Sequence, residues 1–131
     1  MKVVTTYPPR PFKIRQDALI FRPPRYDEIA KLRVVYVSKK PIENYLAQIT
    51  TVLSYHGKCL VRAKGYNISR LLLTLMCLKL RIEIEKCYMW LEKGSSLYPC
   101  VALVLRWDKT KVLGLKSGDK LVYKDGRWEK V

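Results

Sequence analysis

Short β-forming runs alternate along this chain with segments whose apolar residues recur at helical spacing. Residues 34–37 are β-branched or aromatic, and the apolar residues behind Pro41 recur at helical spacing until Gly57, a residue typical of a helix C-terminus. The run "KCLVRAK" at 58–64 predicts a second strand, and 67–80 predict a second helix. The first half of the chain therefore reads β-α-β-α.

Two further strands are expected at 81–91 and 100–107, joined by the segment "EKGSSLYP". The apolar parity shifts near residues 85–86, which predicts a β-bulge there. The full order β-α-β-α-β-β predicts an α/β fold, a two-layer sandwich in which a mixed sheet carries two helices on one face. Because 34–37 are apolar on both faces, we expect them to form a central strand covered on both sides.

Both ends of the chain differ from this central pattern. Residues 1–32 contain the quasi-repeat "YPPRPF" and "FRPPRY", and paired prolines exclude helix, so an extended N-terminal arm is predicted. Such an arm lies on the body, reaches a partner or is partly disordered. At the other end, Asp125-Gly126 is a two-residue hairpin signal. We divide the chain into the arm at 1–32, a central domain at 33–108 and a C-terminal β-hairpin at 109–131, with Tyr123 and Trp128 as a cross-strand pair.

The charge is strongly positive, with 26 Lys and Arg against 11 Asp and Glu, a formal net charge of +15. Twelve basic and four acidic residues lie between residues 33 and 107, so more than half of the excess belongs to the apolar-rich middle. This distribution indicates a folded basic surface rather than a basic tail. A polyanionic partner is then expected, namely DNA, RNA or an anionic membrane surface, the alternative being a well-solvated basic surface.

The cysteines and the remaining composition add few constraints. Cys59, Cys77, Cys87 and Cys100 form no CxxC pair, so no zinc site is expected, nor any cofactor. Whether Cys87 and Cys100 form a disulfide across the predicted hairpin stays open. Two Asn and two Gln favour a thermophilic origin. The longest apolar run, 71–78, is too short to cross a bilayer, and no secretory signal is present, so we expect a cytoplasmic protein without a membrane partner.

Cations gather where the first two predicted strands end. Both strands run parallel into helices through right-handed crossovers, so their ends and the N-termini of both helices share one edge of the sheet. Gly65 allows close approach of the backbone, and no P-loop or GxGxxG supports nucleotide chemistry. Contacts to a phosphate backbone need positive charge above all. We predict a nucleic-acid-binding edge from Lys39, Lys40, Arg62, Lys64, Gly65, Tyr66, Asn67 and Arg70, the alternative being charges that diverge into water.

Two motifs at this edge resemble the Alba family of nucleic-acid-binding proteins, known mainly from archaea. They are "VVYVSKKPIENYLAQIT" and "LVRAKGYNISRLLL", and the likeness covers residues 33–107. Departures from the family pattern are Ser38 in place of a glycine and Tyr66 where a cation is common, whereas Arg62 and Lys64 replace family cations conservatively. Matching positions are Lys39, Lys40, Pro41, Asn44, Tyr45, Ala63, Gly65, Ile68, Ser69 and Arg70.

The resemblance implies a homodimer that binds duplex DNA, and often RNA, without strong sequence preference. It implies that the lysine pair contacts phosphates, and in some members one of these lysines is acetylated. The family's hairpin between the last two strands is long and basic, whereas the loop here is short and offers only Lys93 as a cation. We include Lys93 in the predicted site and expect a smaller contact per subunit.

We therefore expect a DNA- or RNA-binding protein of chromatin or ribonucleoprotein type, associated with the nucleoid and not an enzyme. Its dimer interface, between identical or different subunits, is expected at the apolar helix 68–80 and the strands at 81–107. The alternative is a subunit of an RNA-processing complex that uses this helix to bind another protein. A more remote alternative is a ribonuclease that uses Glu83 and Glu85, with His56 as the single histidine.

Overall fold

The computed structural model describes residues 13–107, together with the backbone of 121–124 and 127–130. Residues 1–12, which hold the first proline-aromatic copy, lie outside the described part. The elements in chain order are β1 (Lys13–Ile14), β2 (Leu19–Ile20), α1 (Tyr26–Ile29), β3 (Val34–Tyr36), α2 (Ile42–His56), β4 (Lys58–Lys64), α3 (Asn67–Cys77), β5 (Ile82–Lys93), β6 (Leu97–Trp107), β7 (Leu121–Lys124) and β8 (Arg127–Lys130).

The main sheet is mixed and has six strands, which confirms the predicted α/β class. Strands β5, β6, β4 and β3 lie side by side in that order, and β1 and β2 both pair with the outer side of β5. Strand β3 runs parallel to β4, whereas β6 is antiparallel to both of its neighbours. The prediction of a central strand at 34–37 is wrong, because β3 is the last strand of the sheet and its Val34 and Tyr36 are exposed. β-propensity reports a fit to a pleated surface and does not distinguish an edge strand from a central one.

Helices α2 and α3 cover one face of this sheet and close the larger core. Helix α2 buries Tyr45, Ile49 and Leu53, and it ends at Gly57, whose φ of 76° is left-handed and whose N–H donates to the Leu53 carbonyl at 2.9 Å. Helix α3 ends at Cys77, three residues before the predicted end at 80. Leu78 is extended there and is buried in the core, as is Leu80, because the chain must turn back to begin β5.

The opposite face of the sheet is covered in part by residues 20–32, so this portion of the predicted arm lies on the body. Ile20, Ile29 and Leu32 pack against a second, smaller apolar cluster in the sheet. Glu28 links this segment to the sheet, because its carboxylate accepts a hydrogen bond from the hydroxyl of Tyr88 on β5 at 3.0 Å. The same carboxylate accepts two hydrogen bonds from Arg22 within the segment, at 2.6 and 3.1 Å. These bonds and that of the Arg25 N–H hold the pKa of Glu28 at about 2.

The β5–β6 hairpin contains the predicted bulge, which lies between Ile84 and Lys86. The hairpin is longer than predicted, because its strands continue to Lys93 and resume at Leu97. Cys87 and Cys100 are free thiols. Cys87 pairs with Leu103 and packs on the helix side, whereas Cys100 pairs with Trp90, so the two sulfurs are too far apart for a disulfide.

The predicted C-terminal hairpin is present as the antiparallel pair β7–β8. Tyr123 stands opposite Trp128 in its register, as expected. The turn residues 125 and 126 lie outside the described residues. Among the helices of the described part, none is long and apolar enough to cross a membrane.

Candidate nucleic-acid interface

Strands β3 and β4 end together, and both long helices start from the same place. Tyr36 pairs with Arg62 in the parallel register, and the N–H of Val37 donates to the Arg62 carbonyl at 2.8 Å. Helix α2 begins at Ile42 and α3 at Asn67, directly behind these strand ends. We call the cations gathered here the basic edge, defined by Lys39, Lys40, Arg62, Lys64 and Arg70.

A buried tyrosine shapes the turn that carries the lysine pair. The hydroxyl of Tyr45 accepts the backbone N–H of Ser38 at 2.9 Å and that of Lys40 at 3.1 Å, and it lies 3.2 Å from the Ser38 Oγ. Burial raises the pKa of Tyr45, but these hydrogen bonds lower it more, so the net pKa is below the ordinary value. The turn wraps around the hydroxyl and leaves Lys39 and Lys40 exposed to solvent.

Arg70 joins the first turn of α3 to the same loop. Its Nη1 donates to the carbonyl oxygen of Lys40 at 3.1 Å, which places Arg70 directly beside the lysine pair. Within residues 13–107, the ion pairs do not involve Lys39, Lys40 or Arg70. Three cations therefore lie around one turn, and none of them is in an ion pair with a described carboxylate.

Arg62 lies on the sheet face away from α2 and α3, between two aromatic rings. Its Cζ is 5.7 Å from the ring centroid of Tyr36 and 5.6 Å from that of Trp90, both within the range of a cation–π contact. The residue opposite Arg62 on β6 is Ala102, whose small side chain leaves room for the guanidinium to reach β5. Arg62 therefore makes cation–π contacts with two rings, whereas the sequence predicts only a contact with nucleic acid.

Lys64 is exposed, but its ammonium group forms an ion pair with the carboxylate of Glu92. Its Nζ lies 3.1 Å from Glu92 Oε1, which also accepts the hydroxyl of Tyr98, while Oε2 accepts the indole N–H of Trp90 at 2.9 Å. These donors hold the pKa of Glu92 at about 2. Glu92 therefore stays ionised at neutral pH, and Lys64 adds less net charge to the basic edge than the sequence predicted.

The residues between β4 and α3 form a tight connection. Gly65 has a φ of +56°, in the left-handed region that favours glycine, and its N–H donates to the Pro99 carbonyl at 2.8 Å. Tyr66 is fully exposed beside it. Asn67 is the first residue of α3, and no side chain caps this helix end.

Lys93 lies at the same end of the sheet as the basic edge. Lys64 pairs with Cys100, and the β5–β6 turn between Lys93 and Leu97 lies three residues further along β6 in the same direction. The fold therefore brings all of the predicted site residues to one end, although Arg62 and Lys64 have the partners described above.

Three residues of this region had no functional role in the sequence interpretation. In the sequence, Tyr45 is only a position that matches the family motif. In the structure its hydroxyl accepts the N–H groups of Ser38 and Lys40 in the turn. For Tyr36 and Trp90 the sequence pattern predicts strands and no role in binding. The alternation of Tyr88 and Trp90 had placed them away from the helices, and the strand register that adds Arg62 to this face could not be read from the sequence.

The residues of the ribonuclease alternative do not form a comparable site. Glu83 and Glu85 are largely buried, and Arg15 contacts them at 3.0 and 3.7 Å, while Lys58 reaches Glu85 at 3.1 Å. His56 lies at the C-terminal end of α2, away from the basic edge. Within the described residues, no group of three or more His, Cys, Asp or Glu side chains is arranged to hold a metal ion.

Comparison of the sequence with known protein families and with curated proteins found no match.

Proposed function

We propose that this chain is a nucleic-acid-binding protein with an Alba-like fold, which holds the sugar–phosphate backbone with little dependence on sequence. The observation that carries the proposal is the group Lys39, Lys40 and Arg70, three cations that lie around one turn and are in no ion pair with a described carboxylate. Backbone contacts position a protein on nucleic acid but do not read its bases, so such a group suits sequence-tolerant binding.

The direction of the helices supports the same proposal. Both α2 and α3 begin at the basic edge, and the unpaired N–H groups of a helix start carry partial positive charge. Glu43 in the first turn of α2 reduces this effect there, whereas the first turn of α3 contains no acidic residue. The partial charges of the helix starts and the charges of the side chains are therefore both positive across most of the basic edge.

A dimer through the helix side of the sheet is part of the proposal. On α3, Leu72, Leu73 and Met76 are 48%, 51% and 44% exposed, although the helix buries Leu71 and Leu75 beneath them. Leu91 and Leu97 share the helix-facing side of the β5–β6 hairpin with the core residue Val101, and both are exposed. An apolar surface of this kind is typical of a protein interface, and the resemblance to the Alba family favours a second copy.

Salt dependence is the direct test of phosphate binding. If one binding unit contacts about six phosphates on duplex DNA, the logarithm of affinity falls against the logarithm of salt concentration with a slope of about −5. The double substitution Lys39→Ala/Lys40→Ala is expected to weaken binding to every sequence alike and to reduce this slope by about 2. A matched control, Arg33→Ala/Arg106→Ala, removes two exposed cations from the other end of the sheet and is expected to leave the slope nearly unchanged. A flat salt dependence of the wild type contradicts the proposal.

The second candidate is a subunit of an RNA-processing complex, and the exposed apolar stripe of α3 is the observation that favours it. The oligomeric state of the pure protein, measured by light scattering, distinguishes the homodimer from the subunit of a complex. A stable dimer that becomes monomeric with Leu73→Glu supports the homodimer, with Leu19→Glu on the exposed side of β2 as the control. A monomer, or insolubility that a different protein relieves, supports the complex.

A further inference from the structure

The sheet face away from α2 and α3 carries an aromatic platform around one cation of the basic edge, Arg62. It consists of Tyr36 on β3, Arg62 on β4 and Trp90 on β5, with the guanidinium between the two rings. Sheet register fixes their order, because Tyr36 stands opposite Arg62 and Arg62 stands opposite the small Ala102 on β6. Ala102 pairs with Tyr88 on β5, so Trp90 lies on the diagonal, two residues further along β5 and opposite Cys100. The platform is therefore part of the rigid sheet.

The platform is open to solvent at its Tyr36 end, whereas Arg62 and Trp90 are half-buried and Trp90 packs against the covered part of this face. Residues 20–32 cover the cluster of Leu60, Tyr88 and Val104, whereas Tyr36 at the edge strand remains 62% exposed. A cavity of about 190 Å³ lies against the platform, and its lining also includes Ser38, Lys64 and Asn67. These three residues belong to the turn, strand end and helix start of the basic edge, so the cavity connects the platform with the cations.

The chemistry of this platform differs from that of the lysine pair. The ion pairs within residues 13–107 do not involve Arg62, and its guanidinium contacts two neutral rings instead. Aromatic rings and guanidinium planes are the groups on which splayed-out bases stack, and every base offers such a face. The cavity is smaller than a pocket for a drug-sized ligand, which suits a single base.

We propose that Tyr36, Arg62 and Trp90 form a stacking site for an unpaired nucleobase whose flanking phosphates lie on the basic edge. This inference rests on the proposed function and specifies its ligand as a nucleic acid with at least one unpaired nucleotide. In an uninterrupted duplex, both faces of each internal base are already stacked on neighbours. The protein therefore prefers single-stranded or bulged segments, without reading which base is present.

The test compares two single strands of equal length, one normal and one in which every base is replaced by an abasic sugar. Both keep their phosphates, so the affinity ratio at fixed salt, measured by fluorescence anisotropy, isolates the contribution of the bases. We expect the wild type to bind the normal strand about 5- to 150-fold more tightly. Tyr36→Ala is expected to reduce this ratio towards one, whereas Tyr36→Phe retains it.

Controls separate stacking from folding and from charge. Tyr55→Ala removes another exposed tyrosine, on α2, and is expected to retain the ratio. Arg62→Lys keeps the charge but loses the planar group, so the ratio falls while the salt slope stays the same. If Tyr36→Ala fails to fold, Tyr36→Leu keeps apolar bulk without a ring face and gives the same comparison.

The outcomes distinguish this inference from the proposed function. Equal affinity of the wild type for the two strands, or a ratio that Tyr36→Ala leaves unchanged, overturns the stacking site even when binding remains salt-dependent. Absence of salt-dependent binding to either strand overturns the proposed function and the stacking site together. A ratio that depends on Tyr36, combined with a salt slope that depends on Lys39 and Lys40, supports both.

Discussion

Both ends of the main sheet carry a group of cations, and the two groups are organised differently. At the end opposite the basic edge, a cavity of about 470 Å³ is lined by Lys31, Arg33, Lys58 and Arg106, with His56 beside them. At the basic edge the same kinds of side chain surround the turn that Tyr45 holds. Composition alone would treat the two ends as equivalent.

The direction of the chain makes them unequal. Helix α2 runs from Ile42 at the basic edge to His56 at the opposite end, so its partial positive charge adds to the first group and its partial negative charge opposes the second. Each end has one lysine paired with a carboxylate at 3.1 Å, Lys58 with Glu85 and Lys64 with Glu92, so these pairs do not distinguish the two ends. The two ends therefore carry similar side chains but opposite helix polarity, which is why the proposed anion site lies at the basic edge.

The largest expected effect comes from removing the group that organises the basic edge. Tyr45→Phe leaves the N–H groups of Ser38 and Lys40 without their acceptor, which is expected to lower the free energy of unfolding by about 1–3 kcal/mol. Tyr45→Ala also empties a core position, with an expected loss of about 3–5 kcal/mol. Urea denaturation measures both, and nucleic-acid affinity is expected to fall with Tyr45→Phe under conditions where the protein is still folded.

The exposed Tyr55 is the matched control for this substitution. Tyr55→Phe is expected to change neither stability nor affinity, because its side chain is largely in solvent. Full retention of affinity by folded Tyr45→Phe would mean that the lysine pair does not need a fixed turn, and the contrast between the two ends would lose its structural basis.

The sequence predicted the elements of the central region well because the signals there are local. Helical spacing, the terminal Gly57 and the parity shift near residue 85 each depend on neighbours in the chain, and α2, β4 and the bulge were found where expected. The convergence of the strand ends followed from the parallel pairing that a β-α-β connection implies, and β3 is parallel to β4. The position of β3 at the sheet edge depends on strand order, which local propensity does not encode.

The partners of the site residues were the part that the sequence could not supply. Lys64 and Glu92 are 28 residues apart, and their contact depends on the register of β4, β6 and β5. The aromatic stack on Arg62 depends on the same register. Pairings across a sheet are set by the packing of the whole fold. Cations that are equivalent in the sequence therefore have different partners in the structure: Lys64 pairs with Glu92, and Arg62 contacts two aromatic rings.

A smaller effect is expected when the basic edge gains charge instead of losing it. Glu92→Gln removes the carboxylate that pairs with Lys64 and frees the ammonium for a phosphate, so the salt slope is expected to become steeper by about 1. Titrations of duplex DNA at several salt concentrations measure the change. The same titrations are made with Glu43→Gln, which removes an exposed acid from the first turn of α2, and its salt slope is compared with that of Glu92→Gln. An unchanged slope in Glu92→Gln would place Lys64 outside the contact.

The smallest expected effect is on stability in acid, and it concerns the same carboxylate. The folded pKa of Glu92 is about 2, below the ordinary glutamate value of 4.5, because Trp90, Lys64 and Tyr98 donate to the ionised form. A depressed carboxylate pKa stabilises the folded state above pH 4.5, and this contribution is lost as the pH falls towards 2. Thermal unfolding between these pH values is expected to show a shallower decline in Glu92→Gln than in the wild type. Glu28 has a similar pKa and remains in that variant, so part of the decline is expected to persist, and Glu28→Gln/Glu92→Gln should flatten it further. Identical declines in all three proteins would mean that neither network contributes to stability in this pH range.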